Sequence, residues 1–367
     1  MEAKKNIYII SNVTDGLYCF RYELIHLLAS QHNVTILATD TGFADAWKKA
    51  GCNFVPIHID RRGTNVLSDL RLLFRYCHLF KQGQPSVVLS YTIKPNVYGG
   101  IACRLTRTPY ITNVTGLGTA IENGGLLSRL TLFLYKNGLK KANCIFFQNA
   151  SNMNLFVQKH IAKGNMHLIP GSGVNLQRHI YENYPTESEK IRFLFIGRIM
   201  KAKGIDELLK AMHMVHEKYP AASLDIIGGC DEDYQEILKE AEHAGYIRYH
   251  GKQADVRPFI KNCHCTVLPS YHEGTANVML ESASTGRPVI TTRVPGCCET
   301  FDEGVTGFGC DAKDPQGLAD AMMRFIELPY NAKIAMGRAG RKKMEKEFDR
   351  QIVIDAYMDE IDKIINH

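Results

Sequence analysis

The chain has no apolar run near the roughly 20 residues that a membrane-spanning helix requires. Its opening stretch MEAKKNIYIISN enters a strand without the hydrophobic region of a secretory leader, which predicts a cytoplasmic protein. Low-complexity tracts and internal repeats are also missing, which leaves the composition of an ordinary globular enzyme. Among eleven cysteines there is no Cys-x-x-Cys pair, and the close groupings Cys263/Cys265 and Cys297/Cys298 match no zinc spacing, so free and mostly buried thiols are expected. In an unsecreted chain the Asn-Val-Thr triplets at Asn12, Asn33 and Asn113 are chance matches to a glycosylation signal. There is no Walker loop, and no Gly-x-Gly-x-x-Gly follows a strand: TGLGTAIENGG supplies Gly116 and Gly118 but no third glycine three positions later. Nicotinamide redox chemistry is therefore disfavoured.

What is present is charge, unevenly placed. The net charge is +6, but residues 1–180 hold 20 Lys and Arg against 8 Asp and Glu, and the remainder holds 24 against 30. A basic half suits an anionic partner, which could be nucleic acid, a phospholipid surface or a phosphorylated substrate, or it serves solubility alone. Nucleic acid ranks last, because the basic segments lack aromatic interleaving and carry no recognisable nucleic-acid motif.

A chain of 367 residues favours two domains. Short β-rich runs alternate with helix-period segments: NIYIIS, NVTILAT, NFVPIHI, SVVLSY, YITNVT, CIFFQN and MHLIP, then, after the polar stretch HIYENYPTESEK, IRFLFIG, ASLDIIGG, YIRYHG, CTVLPS and PVITT. That alternation predicts an α/β protein made of two Rossmann-like, doubly wound parallel-sheet units. The expected bounds are 1–175 and 176–349, with a last helix at 350–367 crossing back to the first unit. The cleft between the units is the default ligand position.

GRIMKAKGIDELLKAM places Gly197 and Arg198 at the carboxyl end of the second unit's first strand and Lys203 at a helix entry. Two cations beside a helix start make a receptor for a diphosphate, Arg198 as a planar fork and Lys203 as a point charge. At the equivalent edge, after CTVLPS, lies YHEGTANVMLESASTG, with Glu273 in a turn and Glu281 eight residues later. In a single helix that spacing would separate the two carboxylates by about 12 Å, too far to share a proton. A turn at Glu273 followed by a helix capped near Asn277 would instead aim both at one ligand.

Weaker signals remain. Asp231 and Asp233 in CDEDYQE have a metal-type spacing but read as acids opening a helix. His250 and His264 read as structural, and His272 adjoins Glu273. No metal site is expected. In RRGTNVLSDLRLLFRYCHLFK, Val66, Leu70, Leu73, Cys77 and Phe80 follow helical spacing toward the sheet, while Arg71, Arg75 and His78 lie on another face. That face, with Arg61 and Arg62 before it, is either solvated or a contact for membrane phosphates or a pyrophosphate-bearing acceptor. LLSRLTLFLYKNGLKK is likewise an apolar helix with a basic end, suited to a core or to a bilayer surface.

GRIMKAKG followed about 70 residues later by EGTANVMLE resembles the retaining GT-B glycosyltransferases of family 4, over essentially the whole chain. Within that family, RRGTNVLSDLRLLFRYCHLF, SYTIKPNVYGGIACRLTRTPYITNVTGLGTAI and LYKNGLKKANCIFFQNASN look like bacterial enzymes that extend lipid-linked oligosaccharides for capsule, O-antigen or protein glycosylation. The resemblance implies a metal-independent hexosyltransferase with no cofactor, the UDP-sugar being a co-substrate. Catalysis would rest on Glu273, Arg198 and Lys203, and donor binding on Gly16, Gly197, Gly274, Thr275, Ala276, Asn277 and Glu281, the last holding the ribose. Arg61, Arg62, Gly116 and Gly118 fall to the acceptor side. Implied partners are a UDP-sugar, a lipid-linked saccharide and the anionic inner face of the cell membrane, where the protein would sit peripherally. The alternatives on this architecture are a non-hydrolysing UDP-sugar 2-epimerase and a sugar-nucleotide-binding module without turnover.

Overall fold

The computed structural model describes residues 3–60, 65–116, 125–187 and 190–366. The chain divides into two compact units, Met1–Ser172 with Gln351–His367, and Gly173–Arg350.

The first unit is built on seven strands: β1 (Asn6–Val13), β2 (Asn33–Thr39), β3 (Asn53–Pro56), β4 (Val87–Tyr91), β5 (Tyr110–Val114), β6 (Cys144–Phe147) and β7 (Met166–Leu168). Their order is β3-β2-β1-β4-β5-β6-β7, and every pairing is parallel. All residues of β4, β5 and β6 are buried, as the continuous apolar runs require of a parallel sheet covered on both faces. Ile9, Leu89 and Ile111 point to one face, under Leu17, Leu24 and Leu28 of helix Thr14–Gln31 and Val353, Tyr357 and Ile361 of helix Arg350–Ile365. Ile10, Val88 and Tyr110 point to the other, under Leu72, Tyr76 and Phe80 of helix Val66–Gly83.

That helix corrects the sequence reading. Phe80 faces the sheet and Leu73 and Cys77 are half-buried against it, but Val66 and Leu70 are exposed. The buried stripe is Asp69, Leu72, Tyr76 and Phe80. Its register is set by Asp69, which takes an inward position that apolar periodicity cannot anticipate because it accepts hydrogen bonds from Lys94 Nζ at 2.6 Å and the Tyr98 hydroxyl at 2.8 Å.

The second unit holds β8 (Arg192–Ile196), β9 (Ser223–Ile227), β10 (Ile247–Tyr249), β11 (Cys265–Leu268), β12 (Val289–Thr292) and β13 (Gly307–Cys310), in the parallel order β10-β9-β8-β11-β12-β13. The sequence reading lacked β13, whose GFGC is half glycine. Gly307 is fixed by packing, since a Cβ there would stand 2.0 Å from the Val289 carbonyl oxygen across the strand pair. Among the described residues no helix is long and apolar enough to cross a membrane, and all eleven cysteines are free.

Candidate active site

In the second sheet β8 and β11 lie side by side, and the strand order runs outward from them in opposite directions through β9 and β12. The loops leaving their carboxyl ends therefore meet at the switch point where ligands bind in open α/β sheets. The loop after β8 makes one 3-10 turn, Lys201–Lys203, and enters helix Ile205–Lys218 through Gly204 at φ +72°. A Cβ on Gly204 would stand 2.1 Å from the Pro269 carbonyl oxygen, so only glycine both adopts this conformation and lets the two loops touch.

Their contact joins Lys203 to Glu273. Lys203 Nζ donates to Glu273 Oε1 in an ion pair whose side chains are only 18% and 15% exposed, and Ser270 Oγ donates to the same oxygen at 2.7 Å. From behind, Gly296 holds the turn that carries Glu273: the Ala276 N–H donates to the Gly296 carbonyl at 2.7 Å, and a Cβ on Gly296 would come within 2.4 Å of the Glu273 carbonyl oxygen. Arg198 projects from the start of the first loop, with Nη1 donating to Asp231 Oδ2 at 2.9 Å. These two side chains are 43% and 30% exposed, and a pair so wet is worth at most about 1 kcal/mol, so a diphosphate can displace the carboxylate cheaply.

Asp231 is thus not an acid at a helix start, as its spacing suggested. The helix begins at Gln235, and the preceding acids face the neighbouring loop, Asp231 on Arg198 and Glu232 Oε2 accepting from the Lys201 N–H at 2.8 Å. Nor does Asn277 cap its helix. Ala276 occupies the cap position without a side-chain bond, because its backbone is drawn onto Gly296, and Asn277 becomes the first helical residue with a buried Oδ1 that lacks a hydrogen-bond partner. Glu281 follows one turn later on the same helix face. Burial pushes its carboxyl up to about 7, against the downward pull of Arg350 and Arg178.

Lys203, Glu273 and the Gly274–Asn277 segment are brought together, with Gly197 and Arg198 at the same sheet edge. Gly16 belongs to the first unit and lies in the opening turn of helix Thr14–Gln31, not in a loop, because β1 runs directly into that helix. Gly116 follows β5 with φ +146°. Arg61, Arg62 and Gly118 fall outside the described residues. His250 and His264 serve the fold: His250 Nε2 meets Asp225 at 2.6 Å, and His264 Nδ1 accepts from the Arg192 N–H at 3.1 Å. Among the described residues one trio has metal-ligand proximity, Cys144, His167 and Glu360 in the first unit, where Glu360 already bonds Asn165 and Lys363.

Sequence reasoning missed Ser270, Gly296 and the role of Asp231. Only Gly296 left a trace, as the glycine of a Pro-Gly turn.

Two family models match the chain, glycosyl transferase 4-like over residues 7–149 and glycosyl transferases group 1 over residues 190–327. The chain is a family 4-type glycosyltransferase with the GT-B fold. Along its length it is similar to the N,N'-diacetylbacillosaminyl-diphospho-undecaprenol alpha-1,3-N-acetylgalactosaminyltransferase of Campylobacter jejuni, 23% identical over 98% of this chain and 99% of that protein. It is also 25% identical to the capsular polysaccharide biosynthesis glycosyltransferase CapM of Staphylococcus aureus, over 96% of this chain and 95% of that one. The crystal structure of Anabaena HepE with UDP and glucose superposes with a TM-score of 0.80 at 15% identity, covering 98% of this chain and 100% of that one.

Proposed function

We propose that this glycosyltransferase moves a hexose or N-acetylhexosamine, with retention, from a UDP-sugar to a polyprenyl-diphosphate-linked saccharide in cell-surface polysaccharide or glycan assembly. The observation that carries the reading is the convergence of Lys203 and Glu273 at the ends of two adjacent central strands, with Arg198 beside them. Two relatives named for lipid-linked and capsular substrates, and a structural neighbour that holds UDP and glucose, support it.

Transfer breaks the bond from the anomeric carbon to the phosphate oxygen, so negative charge grows on the departing UDP and positive character on the sugar. Arg198 and Lys203 stabilise the first, and Glu273, gripping sugar hydroxyls, orients the second. Retention follows if the acceptor hydroxyl attacks from the side the phosphate leaves, with its proton passing to a phosphate oxygen. Because the cations are side chains, transfer should survive EDTA unchanged; complete loss with rescue by manganese would overturn that role. The reading itself is tested by supplying labelled UDP-sugars with extracted polyprenyl-diphosphate saccharides. Label should appear in the lipid-linked fraction, whereas a change of sugar configuration without acceptor would make the protein an epimerase.

The second unit's role as donor site also predicts a pH dependence. Ribose hydroxyls donate hydrogen bonds, and Glu281 offers both carboxyl oxygens purely as acceptors, with full charge, only when ionised. Its carboxyl is raised to about 7 by burial, so UDP-glucose affinity should weaken as pH falls below about 7, by up to about tenfold per pH unit. The Glu281→Gln variant should bind more weakly and lose this slope. For stability the sign is opposite: the folded state holds a proton that the unfolded chain releases, so this group's contribution is greatest below the ordinary carboxylate range and is lost as pH rises through about 7. UDP-glucose is the right probe because a terminal phosphate itself titrates near pH 6.

A further inference from the structure

The last helix returns to the first unit and lies across one face of its sheet, burying Val353, Tyr357 and Ile361. Glu360 sits on the same side of the helix, three positions after Tyr357, and its side chain is only 6% exposed. A buried carboxylate is costly unless its charge is met. Asn165 Nδ2 donates to its Oε2 at 2.6 Å, and Lys363 Nζ donates to its Oε1 at 2.7 Å. The asparagine is held in the chain just before β7, whereas the lysine side chain is 63% exposed and able to swing into solvent.

The sheet brings two more ligand groups to that carboxylate. Cys144 and Phe146 of β6 point to the face that the last helix covers, since both pack in its cluster. β7 pairs with β6 in a register that sets His167 beside Phe146, so the imidazole stands on the same face. The Cys144 Sγ, a ring nitrogen of His167 and a Glu360 oxygen all lie within 4.8 Å of one another, with His167 Nε2 3.4 Å from Glu360 Oε1. Ligand atoms around a tetrahedral zinc stand about 3.3 to 3.8 Å apart, given bonds of about 2.0 to 2.3 Å. Closing the trio onto one ion thus takes side-chain shifts of about 1 Å.

We propose that Cys144, His167 and Glu360 bind a zinc ion, which fastens the last helix to the edge of the first sheet. The donor set selects the metal. A thiolate and an imidazole are poor ligands for magnesium, calcium or manganese, which take oxygen, whereas zinc accepts sulfur, nitrogen and carboxylate oxygen together. The ion takes over the positive charge that Lys363 now presents to Glu360, and the thiol gives its proton to solvent on binding. Asn165 keeps the carboxylate oriented from behind, the part that outer hydrogen bonds play at metal sites. His167 is 45% exposed, which opens a path for the ion and leaves room for a water as fourth ligand. No spacing motif announces the site, because its ligands come from three distant segments. Cys144 opens β6, at the end of the strand opposite to the carboxyl edge where ligands bind, so the ion takes no part in transfer.

The test is zinc binding by the full chain after treatment with a chelator and dialysis. The parent should take up about one equivalent, and cobalt in its place should give the near-ultraviolet charge-transfer band of a thiolate-bound ion. Outer partners are worth about ten- to hundredfold in metal affinity, so loss of a ligand should cost about a hundredfold or more. That loss is expected for Cys144→Ser, which should also abolish the cobalt band, and for His167→Ala, whose partly exposed position spares the fold. At zinc about a hundredfold above its Kd the parent should melt about 5 to 10 °C higher and exchange the amides of Arg350–Ile365 more slowly. His167→Ala should show little of either effect. Zinc bound equally well by the parent and by His167→Ala would lie on other groups, such as the exposed thiols of Cys19 and Cys298, and would overturn the proposal. So would a cobalt complex without the charge-transfer band, or zinc that leaves exchange in the last helix untouched.

Discussion

Glu273→Gln should lower glycosyl transfer on the order of a thousandfold while the protein remains folded and is still stabilised by UDP. The substitution keeps the side chain's shape, and Ser270 can donate to the amide oxygen as it does to Oε1 now. What disappears is the charge opposite Lys203 and the acceptor capacity facing the sugar. Lys203→Ala should be as severe. A unit charge about 4 Å from the departing phosphate is worth roughly 4 kcal/mol at an effective dielectric near 20, and each 1.36 kcal/mol of the share that grows toward the transition state is tenfold in rate. Because the two side chains are bonded to each other and act in one step, the double variant should lose little more than the worse single one. Near-normal transfer by Glu273→Gln, or two losses that multiply in full, would remove the pair from the mechanism.

The largest effect on stability belongs to a residue away from that chemistry. Arg287 is fully buried, and its guanidinium spends its donors on backbone carbonyls: Glu182 and Asn183 in the polar segment that precedes β8, Ile260 and Lys261 at a helix end, and the nearby Thr285 and Gly286, at 2.7 to 3.3 Å. Burial pulls its pKa below the usual guanidinium value, and the carbonyl oxygens stand where a carboxylate would ordinarily balance the charge. Arg287→Met leaves several buried carbonyls unpaired, at about 1 to 3 kcal/mol each, and should cost roughly 4 kcal/mol or more. At about 2 to 4 °C per kcal/mol for a unit of this size, calorimetry should find the melting point lowered by about 10 °C. Arg287→Lys should recover little, because a single ammonium cannot reach carbonyls arranged around a planar fork. A change below about 1 kcal/mol in the methionine variant would show that water or relaxation satisfies those oxygens.

The contrast between these two sites explains what could be read in the amino-acid order. Twelve of thirteen strands were visible because parallel strands buried on both faces are unbroken apolar runs, and β13 was not, because GFGC has too few side chains to signal. Arg198, Lys203 and Glu273 were legible since a charged group just beyond an apolar strand lies at a known edge of the sheet. Their partners were not. Whether Asp231 belongs to a helix or to Arg198 depends on β9 lying next to β8, and whether Asn277 or Ala276 holds the cap depends on Gly296, twenty residues downstream. The stripe on helix Val66–Gly83 was read about one position out of phase because one buried acid overrode the hydrophobic period. Arg287 left no mark at all, since an arginine in a Gly-Arg-Pro turn looks like any surface cation.

Helix Arg350–Ile365 closes the first sheet's core with Val353, Ile354, Tyr357 and Ile361, although some 178 residues of another unit are translated in between. On the ribosome, the amino-terminal sheet must therefore wait, with one side covered only in part by helix Thr14–Gln31, until the second unit has emerged. During that interval the nascent polypeptide offers chaperones a sticky, half-finished layer, and a stall or cleavage ahead of residue 350 would strand it there.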